Sequence, residues 1–303
     1  MVETPEAATS GMTALGKLTR NRLLRVGLLA LVAGLAIWGL ASQWTQVQTA
    51  LRQLDFWQVA AAGADVLAGL FCMMLAWRAL LADLGSPLPV PVAIRVMFVG
   101  QLGKYVPGAV WAVAAQVELA RDYEVPRRRS VAAGLVAMAT TLVVGLVMAG
   151  ITLPLTSKHA MREYWWVLAV TPVAIGCLYP PVARIFLNLV LRVARRQPLE
   201  RAVSLGATFR ALGWTALGWI CYGLQAWLLI RQFTHGGTHL SSQLHLVALS
   251  FGAYALSWAA GFLLIFFPGG IGPREAALVA VLTPVMPAGS ALVVALASRM
   301  VMT

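Results

Sequence analysis

The chain has 303 residues, of which 60% are hydrophobic and 11% are charged, whereas about 25% of the residues in an average soluble domain are charged. Such a composition cannot build a water-facing surface, and at about 20 apolar residues per bilayer crossing it provides for about six or seven spans, which excludes most soluble enzymes. The 23 lysines and arginines exceed the 11 acidic residues and give a net charge of +12, which in a membrane protein indicates cytoplasmic loops and anionic headgroups before nucleic acid.

The first apolar run extends from Leu23 to Ala41. Its 19 residues exceed the apolar core of a typical signal peptide, and no small-x-small cleavage site closes it. Basic residues lie before it and near its start: Lys17, Arg20, Arg22 and Arg25. The pattern predicts an uncleaved transmembrane helix with its N-terminus in the cytoplasm, after a disordered tail over residues 1–16.

Further apolar segments are predicted to form helices along the rest of the chain. They cover residues 58–82, 131–153, 164–187, 211–232, 243–267, 275–286 and 289–303. The last of these is short, because about 15 residues reach only about 22 Å at 1.5 Å per residue, whereas the bilayer core is about 30 Å thick. We therefore expect either that the chain continues beyond Thr303 or that the last span is incomplete.

Residues 90–121 form a different kind of apolar stretch, because Pro107 and Gly108 break it in the middle. Each half has about 14 to 16 residues, which is too short to cross a bilayer. A second break, FFPGGIGPRE, interrupts residues 243–286. Within hydrocarbon such breaks are tolerated only where protein or a water-filled cavity satisfies the freed backbone groups. Both stretches are thus predicted to be re-entrant hairpins whose breaks line an interior.

The distribution of lysine and arginine predicts the orientation of these helices. With the N-terminus in the cytoplasm, far more of them fall in cytoplasmic stretches than in outer loops. Residues 20–153 and 164–303 then each contain two spans, a broken hairpin and one span, and the second copy starts from the opposite side of the membrane. The sequence predicts an all-α polytopic membrane protein, with one membrane domain over residues 17–303 and an inverted repeat of the kind found in transporters.

The first hairpin, which contains GKYVPGAVW at 103–111, carries candidate binding residues. Lys104 precedes the break, and the helix that begins after Gly108 directs its free N–H groups and its positive dipole end into the protein, where a phosphate is favoured. An alternative stays open, in which Lys104 reaches the cytoplasmic headgroups while Tyr105 and Trp111 are interfacial anchors.

In the second hairpin, Arg274 and Glu275 lie on the first turn of the returning helix. A guanidinium at membrane depth costs at least about 2.5 kcal/mol on insertion scales, so Arg274 is predicted to bind a ligand or an ion-pair partner. Glu275 is a candidate binding residue, and its position on the first turn fits the role of a helix cap equally well. Arg299, in the last helix, is a candidate ligand for a headgroup phosphate or one half of a structural ion pair.

Three more polar residues within apolar segments are candidates for coupling or gating. They are Asp65, Gln116 and Glu118. Glu118 is predicted either to act in a gate or on a headgroup amine, or to form one half of a structural ion pair.

No motif in the sequence predicts catalysis, a metal or a cofactor. Walker A, GxSxG and HExxH patterns are absent from the 303 residues. His235 and His239 flank two glycines, which argues against a metal-binding helix. The three cysteines lack CxxC spacing, so they indicate neither a disulfide framework nor a zinc site.

The stretches GKYVPGAVW at 103–111 and FPGGIGPREAALV at 267–279 resemble the two hallmark stretches of the lysylphosphatidylglycerol synthase transmembrane-region family. That family is the integral-membrane part of the bacterial multiple peptide resistance factor, and it includes stand-alone proteins. The resemblance extends over about residues 20–303 and implies lipid translocation through a pocket around both broken hairpins. Four residues of this chain fall there: Lys104, Tyr105, Arg274 and Glu275. The soluble aminoacyl-transferase domain of the full-length factors has no counterpart in these residues, so synthase activity is not implied.

Together these features predict a non-enzymatic flippase of the cytoplasmic membrane that works by alternating access. Its substrate would be an anionic phospholipid, an aminoacyl-phospholipid or a polyprenyl-linked glycolipid with a phosphate-containing headgroup. Without an ATP-binding loop, transport would depend on a lipid gradient, downstream consumption or ion coupling. Two alternatives stay open, an integral-membrane enzyme of glycolipid or cell-envelope synthesis and a scaffold subunit. The resemblance is compatible with a homodimer or a lipid-modifying partner enzyme, and nucleic acid is not expected.

Overall fold

The computed structural model describes five stretches of the chain, residues 44–101, 110–156, 203–234, 240–263 and 270–302, with a few isolated positions between 157 and 202. The predicted tail, the predicted first helix and most of the predicted span at 164–187 lie outside the described residues. By its internal contacts the chain divides into residues 1–45 and 46–303, and the second unit contains the packing described below. Every regular element in the described stretches is a helix, which confirms the predicted all-α fold there.

We number the described helices in chain order. They are α1 Trp44–Gln53, α2 Phe56–Asp83, α3 Val90–Gln101, α4 Val110–Arg121, α5 Arg127–Thr152, α6 Leu205–Ile230, α7 Leu240–Leu263, α8 Pro273–Leu282 and α9 Ala288–Met302. A single 3-10 turn, Leu153–Leu155, extends α5.

Three of these helices are long and apolar enough to cross a membrane: α2, α5 with its 3-10 turn, and α7. They correspond to the spans predicted at 58–82, 131–153 and 243–267. Helix α6 has a similar length of 26 residues but carries tryptophan, tyrosine and glutamine side chains along it. In contrast, α3 and α4 have 12 residues each and α8 has 10. At 1.5 Å per residue these helices reach about 15 to 18 Å and cannot span a bilayer. The short halves of the first hairpin agree with the prediction, whereas α7, the first half of the second hairpin, is long enough to cross.

Helices α2 and α6 form the most extensive helix pair, and polar contacts join both of their ends. At one end, the backbone N–H of Asp55 donates to the side-chain oxygen of Gln232 at 2.7 Å. At the other, the carboxylate of Asp83 accepts hydrogen bonds from the backbone N–H and the hydroxyl of Ser204 at 2.7 and 2.6 Å. Asp55 and Ser204 also cap the N-termini of α2 and α6. The two helices therefore run antiparallel as one tied unit.

Glycines allow large aromatic side chains to enter the helix interfaces. Tyr222 of α6 lies directly against Gly69 of α2, where a Cβ atom would overlap its ring. Where α5 meets α6, a Cβ at Gly145 of α5 would lie 2.5 Å from the ring of Trp219. Close approach of backbones at small residues is the usual device of membrane helix packing. It places the aromatic side chains of α6 in the centre of the described unit.

The remaining helix contacts occur in matching pairs. α3 packs on α4 as α7 packs on α8, α4 packs on α5 as α8 packs on α9, and α2 packs on α5 as α6 packs on α9. The cross-contacts of α6 with α5 and of α2 with α9 also match. Two pairs differ in extent: within the described residues α6 packs on α7 more extensively than α2 packs on α3, and α5 packs on α7 without an equally extensive contact between α9 and α3. The pattern fits the predicted repeat, whose inversion across a membrane stays a prediction.

A buried apolar core lies where α2 to α5 meet the start of α6. Its largest members on α2 are Trp77, Leu80 and Leu81. Arg129 of α5 donates to the carbonyl oxygen of Gly85 at 2.8 Å and thereby ties the α2–α3 connection to this core. The first hairpin is thus anchored at its outer end.

Candidate functional site

The second hairpin turns through glycines that no other residue replaces without strain. Gly270 and Gly272 have φ angles of 69° and 96°, in the region that side chains with a Cβ rarely adopt. A Cβ at Gly270 would lie 3.0 Å from the Cα of Gly261, near the end of α7. The start of α8 is therefore held directly against α7. Residues 264–269, which complete the turn, lie outside the described residues.

Glu275 joins the start of α8 to the end of α9. One of its carboxylate oxygens accepts from the backbone N–H of Gly272 at 2.7 Å, and the other accepts from the guanidinium of Arg299 at 2.9 Å. The side chains of Glu275 and Arg299 are 16% and 22% exposed. The helix cap predicted for Glu275 is present, and the same carboxylate also forms an ion pair with Arg299. For Arg299, the contact with Glu275 is the structural ion pair that the sequence left open as an alternative.

Arg274 points in a different direction from its neighbour and binds a neutral partner. Its guanidinium donates to the hydroxyl of Tyr254 on α7 at 2.5 Å and lies 5.0 Å from the centre of that ring. The Tyr254 hydroxyl in turn donates to the sulfur of Met302 at 3.2 Å. Within the described stretches no carboxylate forms an ion pair with Arg274. Its charge is held in place without being neutralised by these residues.

A buried cluster of aromatic rings supports Tyr254 from behind. The ring centres of Tyr222 and Trp219 lie 6.0 and 6.2 Å from that of Tyr254. Trp258 stands edge-on to Trp219 at 5.5 Å. Tyr254, Tyr222 and Trp219 are all buried, and the indole N–H of Trp219 donates to the backbone carbonyl of Thr141 at 3.0 Å. Because these rings are closely packed, the phenol that holds Arg274 has a fixed position.

Next to this cluster, the end of α9 meets a buried amide on α6. Gln225 is fully buried, and its carbonyl oxygen is 3.5 Å from the hydroxyl of Ser298. Its amide nitrogen has no hydrogen-bond partner among the described residues. Buried polar groups are normally satisfied by protein, by water or by a ligand. The interior beside Arg299 therefore contains a donor that the described residues leave available.

The first hairpin is described only in part. Lys104 and Tyr105 lie outside the described residues, and Trp111 belongs to α4 with its side chain outside them. Gln116 of α4 is buried, contacts Gly100 and donates to the sulfur of Met97 on α3 at 3.1 Å. This predicted coupling residue packs the two halves of the hairpin together.

Glu118 lies at the far end of α4 in an exposed ion-pair network. Its carboxylate accepts from Arg121 at 2.9 Å and from Arg127 at 2.7 Å, and its side chain is 58% exposed. Hydrogen bonds from Arg121 and then from Arg127 lower the pKa of Glu118. This geometry favours the structural ion pair that the sequence left open. A shallow cavity of about 350 Å³ opens beside it, lined by Arg121, Glu124, Val125, Pro126 and Arg127.

The other polar predictions have separate positions. Asp65 of α2 is partly buried, and no cation in the described stretches forms an ion pair with it. His235 and His239 lie outside the described residues. Among the residues that the structure describes, no three histidine, cysteine, aspartate or glutamate side chains are grouped closely enough to hold a metal ion.

The sequence therefore identified the charged members of the second hairpin but not their partners. Tyr254 and Tyr222 were not singled out, and neither was the pairing of Glu275 with Arg299. One signal was available, because Trp219 and Tyr222 on α6 and Tyr254 and Trp258 on α7 follow helical spacing. That spacing does not reveal which cation the aromatic side chains face.

Comparison with known families matches residues 23–303 to the family described as the lysylphosphatidylglycerol synthase TM region. The match covers nearly the whole chain, including both broken hairpins. Comparisons with curated proteins and with solved structures found no match.

Proposed function

The chain belongs to the lysylphosphatidylglycerol synthase transmembrane-region family, a family of multi-pass membrane domains with a role in lipid or cell-envelope processes, and from this premise we propose that it is a lipid flippase. Its substrate is a lipid with a phosphate in the headgroup, and Arg274 binds that phosphate. The observation that carries the proposal is the charge of Arg274, which Tyr254 holds at 2.5 Å without neutralising it.

A phosphate fits this position for two reasons. A guanidinium has five N–H donors, and the contact with Tyr254 uses one of them. Arg274 also lies on the first turn of α8, where free backbone N–H groups and the helix dipole favour an anion. Residues 264–269 contribute no acidic side chain that would compensate the arginine. A cation inside a membrane domain that the described residues leave uncompensated usually marks a substrate or ion pathway.

Transport is favoured over chemistry by the kinds of groups that meet at the site. Within the described residues the cluster offers a fixed cation, an ion pair and buried aromatic rings, but no nucleophile beside a base. The tied pair α2–α6 suits a fixed axis about which the two hairpins move in alternating access. We place the chain in the cytoplasmic membrane with its N-terminus in the cytoplasm, as the positions of its basic residues favour.

The test is lipid translocation in vesicles that contain the full chain. Labelled phosphatidylglycerol in phosphatidylcholine vesicles is exposed to a quencher that reaches only the outer leaflet, so the fraction quenched reports movement between leaflets. We expect wild type to move the lipid and Arg274→Gln to move it at least about tenfold more slowly, which corresponds to about 1.4 kcal/mol.

The matched control is Arg210→Gln. Arg210 is exposed on α6, and its side chain bonds the carbonyl oxygen of Gly206 on the same helix. This control should translocate lipid at the wild-type rate. Unchanged translocation in a folded Arg274→Gln variant would contradict the proposal. If neither variant nor wild type moves lipid while the chain still retains a partner enzyme, the scaffold alternative is favoured.

A further inference from the structure

The ion pair between Glu275 and Arg299 lies beside the proposed phosphate site, and its donors are those that a phosphate would use. The carboxylate of Glu275 accepts from a backbone N–H at the start of α8 and from a guanidinium on α9. Phosphate oxygens bind the same two kinds of donor, helix N-terminal N–H groups and arginine. The carboxylate of Glu275 thus lies where a phosphate could bind.

Both arginines act on the same part of the interior. The hydroxyl of Tyr254 accepts from Arg274 and donates to Met302, which lies three residues after Arg299 on α9. Together with Glu275 they carry two positive charges and one negative charge, so the cluster has a net charge of +1. An anion that enters beside Arg274 is therefore also attracted by Arg299, and it competes there with Glu275.

We propose that Glu275 is the resident counter-ion of Arg299 and that a headgroup phosphate displaces it. The phosphate is then bound by Arg274 and Arg299 together, so Arg299 is a second substrate-binding residue. This inference rests on the proposed function of Arg274. Because Glu275 belongs to α8 and Arg299 to α9, its displacement also removes a charged contact between the hairpin and the last helix.

Two polar contacts at the end of α9 differ in length. The polar contact between Ser298 and Gln225 is long, at 3.5 Å, whereas the Glu275–Arg299 ion pair is short, at 2.9 Å. The pair is a charge-assisted contact between α8 and α9 in the interior. A ligand shifts a conformational equilibrium only by binding its two states differently, and exchange of one anion for another on Arg299 provides that difference.

The test measures lipid binding to the detergent-solubilised full chain with three probes: phosphatidylglycerol, diacylglycerol without a phosphate, and inorganic phosphate. Glu275→Gln keeps an acceptor for the N–H of Gly272 but removes the competing charge. We expect it to bind phosphatidylglycerol about tenfold more tightly than wild type and to translocate it more slowly, because the phosphate is released less readily. Arg299→Gln should bind it about tenfold more weakly.

The charge swap Glu275→Arg/Arg299→Glu distinguishes an effect on lipid binding from an effect on stability. It restores an ion pair between α8 and α9, so thermal stability should return toward that of wild type, while phosphatidylglycerol binding stays weak because the cation has moved. If the swap restores binding, or if Glu275→Gln binds no more tightly at unchanged stability, the inference is wrong.

The same experiments distinguish this inference from the proposed function. Loss of the preference for phosphatidylglycerol over diacylglycerol in Arg274→Gln supports the proposed function, whatever Glu275→Gln does. If wild type has no such preference, the proposed function fails and this inference fails with it. If inorganic phosphate alone binds, the site serves a soluble anion, which overturns the lipid substrate in both.

Discussion

Within the described residues, the two broken hairpins differ in the length of their first helix and in where their charges lie. Lys104, beside the break of the first hairpin, lies outside the described residues. In the first, the ion pairs of Glu118 lie at the exposed far end of α4, and the buried polar residue is the neutral Gln116. In the second, Arg274 and Glu275 occupy the first turn of α8, beside the break, and contact α7 and α9. The position of a charge along the helix therefore decides its role. A charge at the far end meets solvent, whereas a charge at the break faces the interior.

The largest expected difference between the hairpins concerns their tightest glycine contacts. Gly270→Ala places a Cβ 3.0 Å from the backbone of Gly261 at a φ of 69°, and neither backbone can move aside. We expect it to lower stability by about 3 kcal/mol, the sum of left-handed strain and overpacking. Gly100→Ala adds no left-handed strain, but its Cβ would overlap the Cγ of the buried Gln116, which has to repack, so a smaller loss of about 2 kcal/mol is expected.

Thermal unfolding in detergent measures this difference. Gly63→Ala is the control, because among the described residues its Cβ would contact only Val301, at an ordinary distance of 3.9 Å. If Gly100→Ala loses more stability than Gly270→Ala, the first hairpin tolerates an added Cβ less well than the second. The expected order of the two hairpins would then be reversed.

The next prediction concerns the phenol that holds Arg274. Tyr254→Phe removes the hydroxyl bonded to Arg274 and Met302 but keeps the ring beneath the guanidinium. A hydrogen bond to a charged group contributes about 1.5 kcal/mol or more, so we expect lipid affinity to fall about tenfold. Affinity for phosphatidylglycerol is the measurement. Tyr123→Phe, in the turn after α4, is the control and should bind as wild type does.

In the first hairpin the corresponding buried polar residue should matter less. Gln116→Met removes a hydrogen bond to the sulfur of Met97, which is a weak acceptor, and keeps an apolar side chain of similar length. We expect a stability change below about 1 kcal/mol and no change in lipid affinity. A loss of lipid binding in a stable Gln116→Met variant would give this residue the coupling role that the sequence predicted for it.

The sequence predicted the architecture more fully than the site. Apolar runs and Pro-Gly breaks were sufficient to predict α2, α5 and α7 as spans and α3, α4 and α8 as short helices beside the breaks, because length and hydropathy are local properties. The pairing of Glu275 with Arg299 joins residues 24 positions apart, and the contact of Arg274 with Tyr254 joins residues 20 apart. Such contacts depend on how α7, α8 and α9 pack, which no local pattern contains. A single sequence likewise gives no reason to prefer Tyr254 over other aromatic residues.

The smallest effect on stability is expected at Glu118, whose ion pairs are exposed, whereas the ion pair of Glu275 is largely buried. Arg121 and Arg127 lower the pKa of Glu118, so its ion pairs stabilise the folded chain at pH values above the ordinary carboxylate value of 4.5. That contribution is lost as the pH falls below this value and through the lowered pKa. Glu118→Gln should therefore lower the unfolding temperature slightly at pH 7 and not at all in strong acid, and high salt should reduce the difference because the pair is exposed. Lipid binding should not change. If Glu118→Gln instead impairs transport at pH 7 while stability is retained, the exposed end of the first hairpin takes part in the pathway, and charge position alone does not separate the two hairpins.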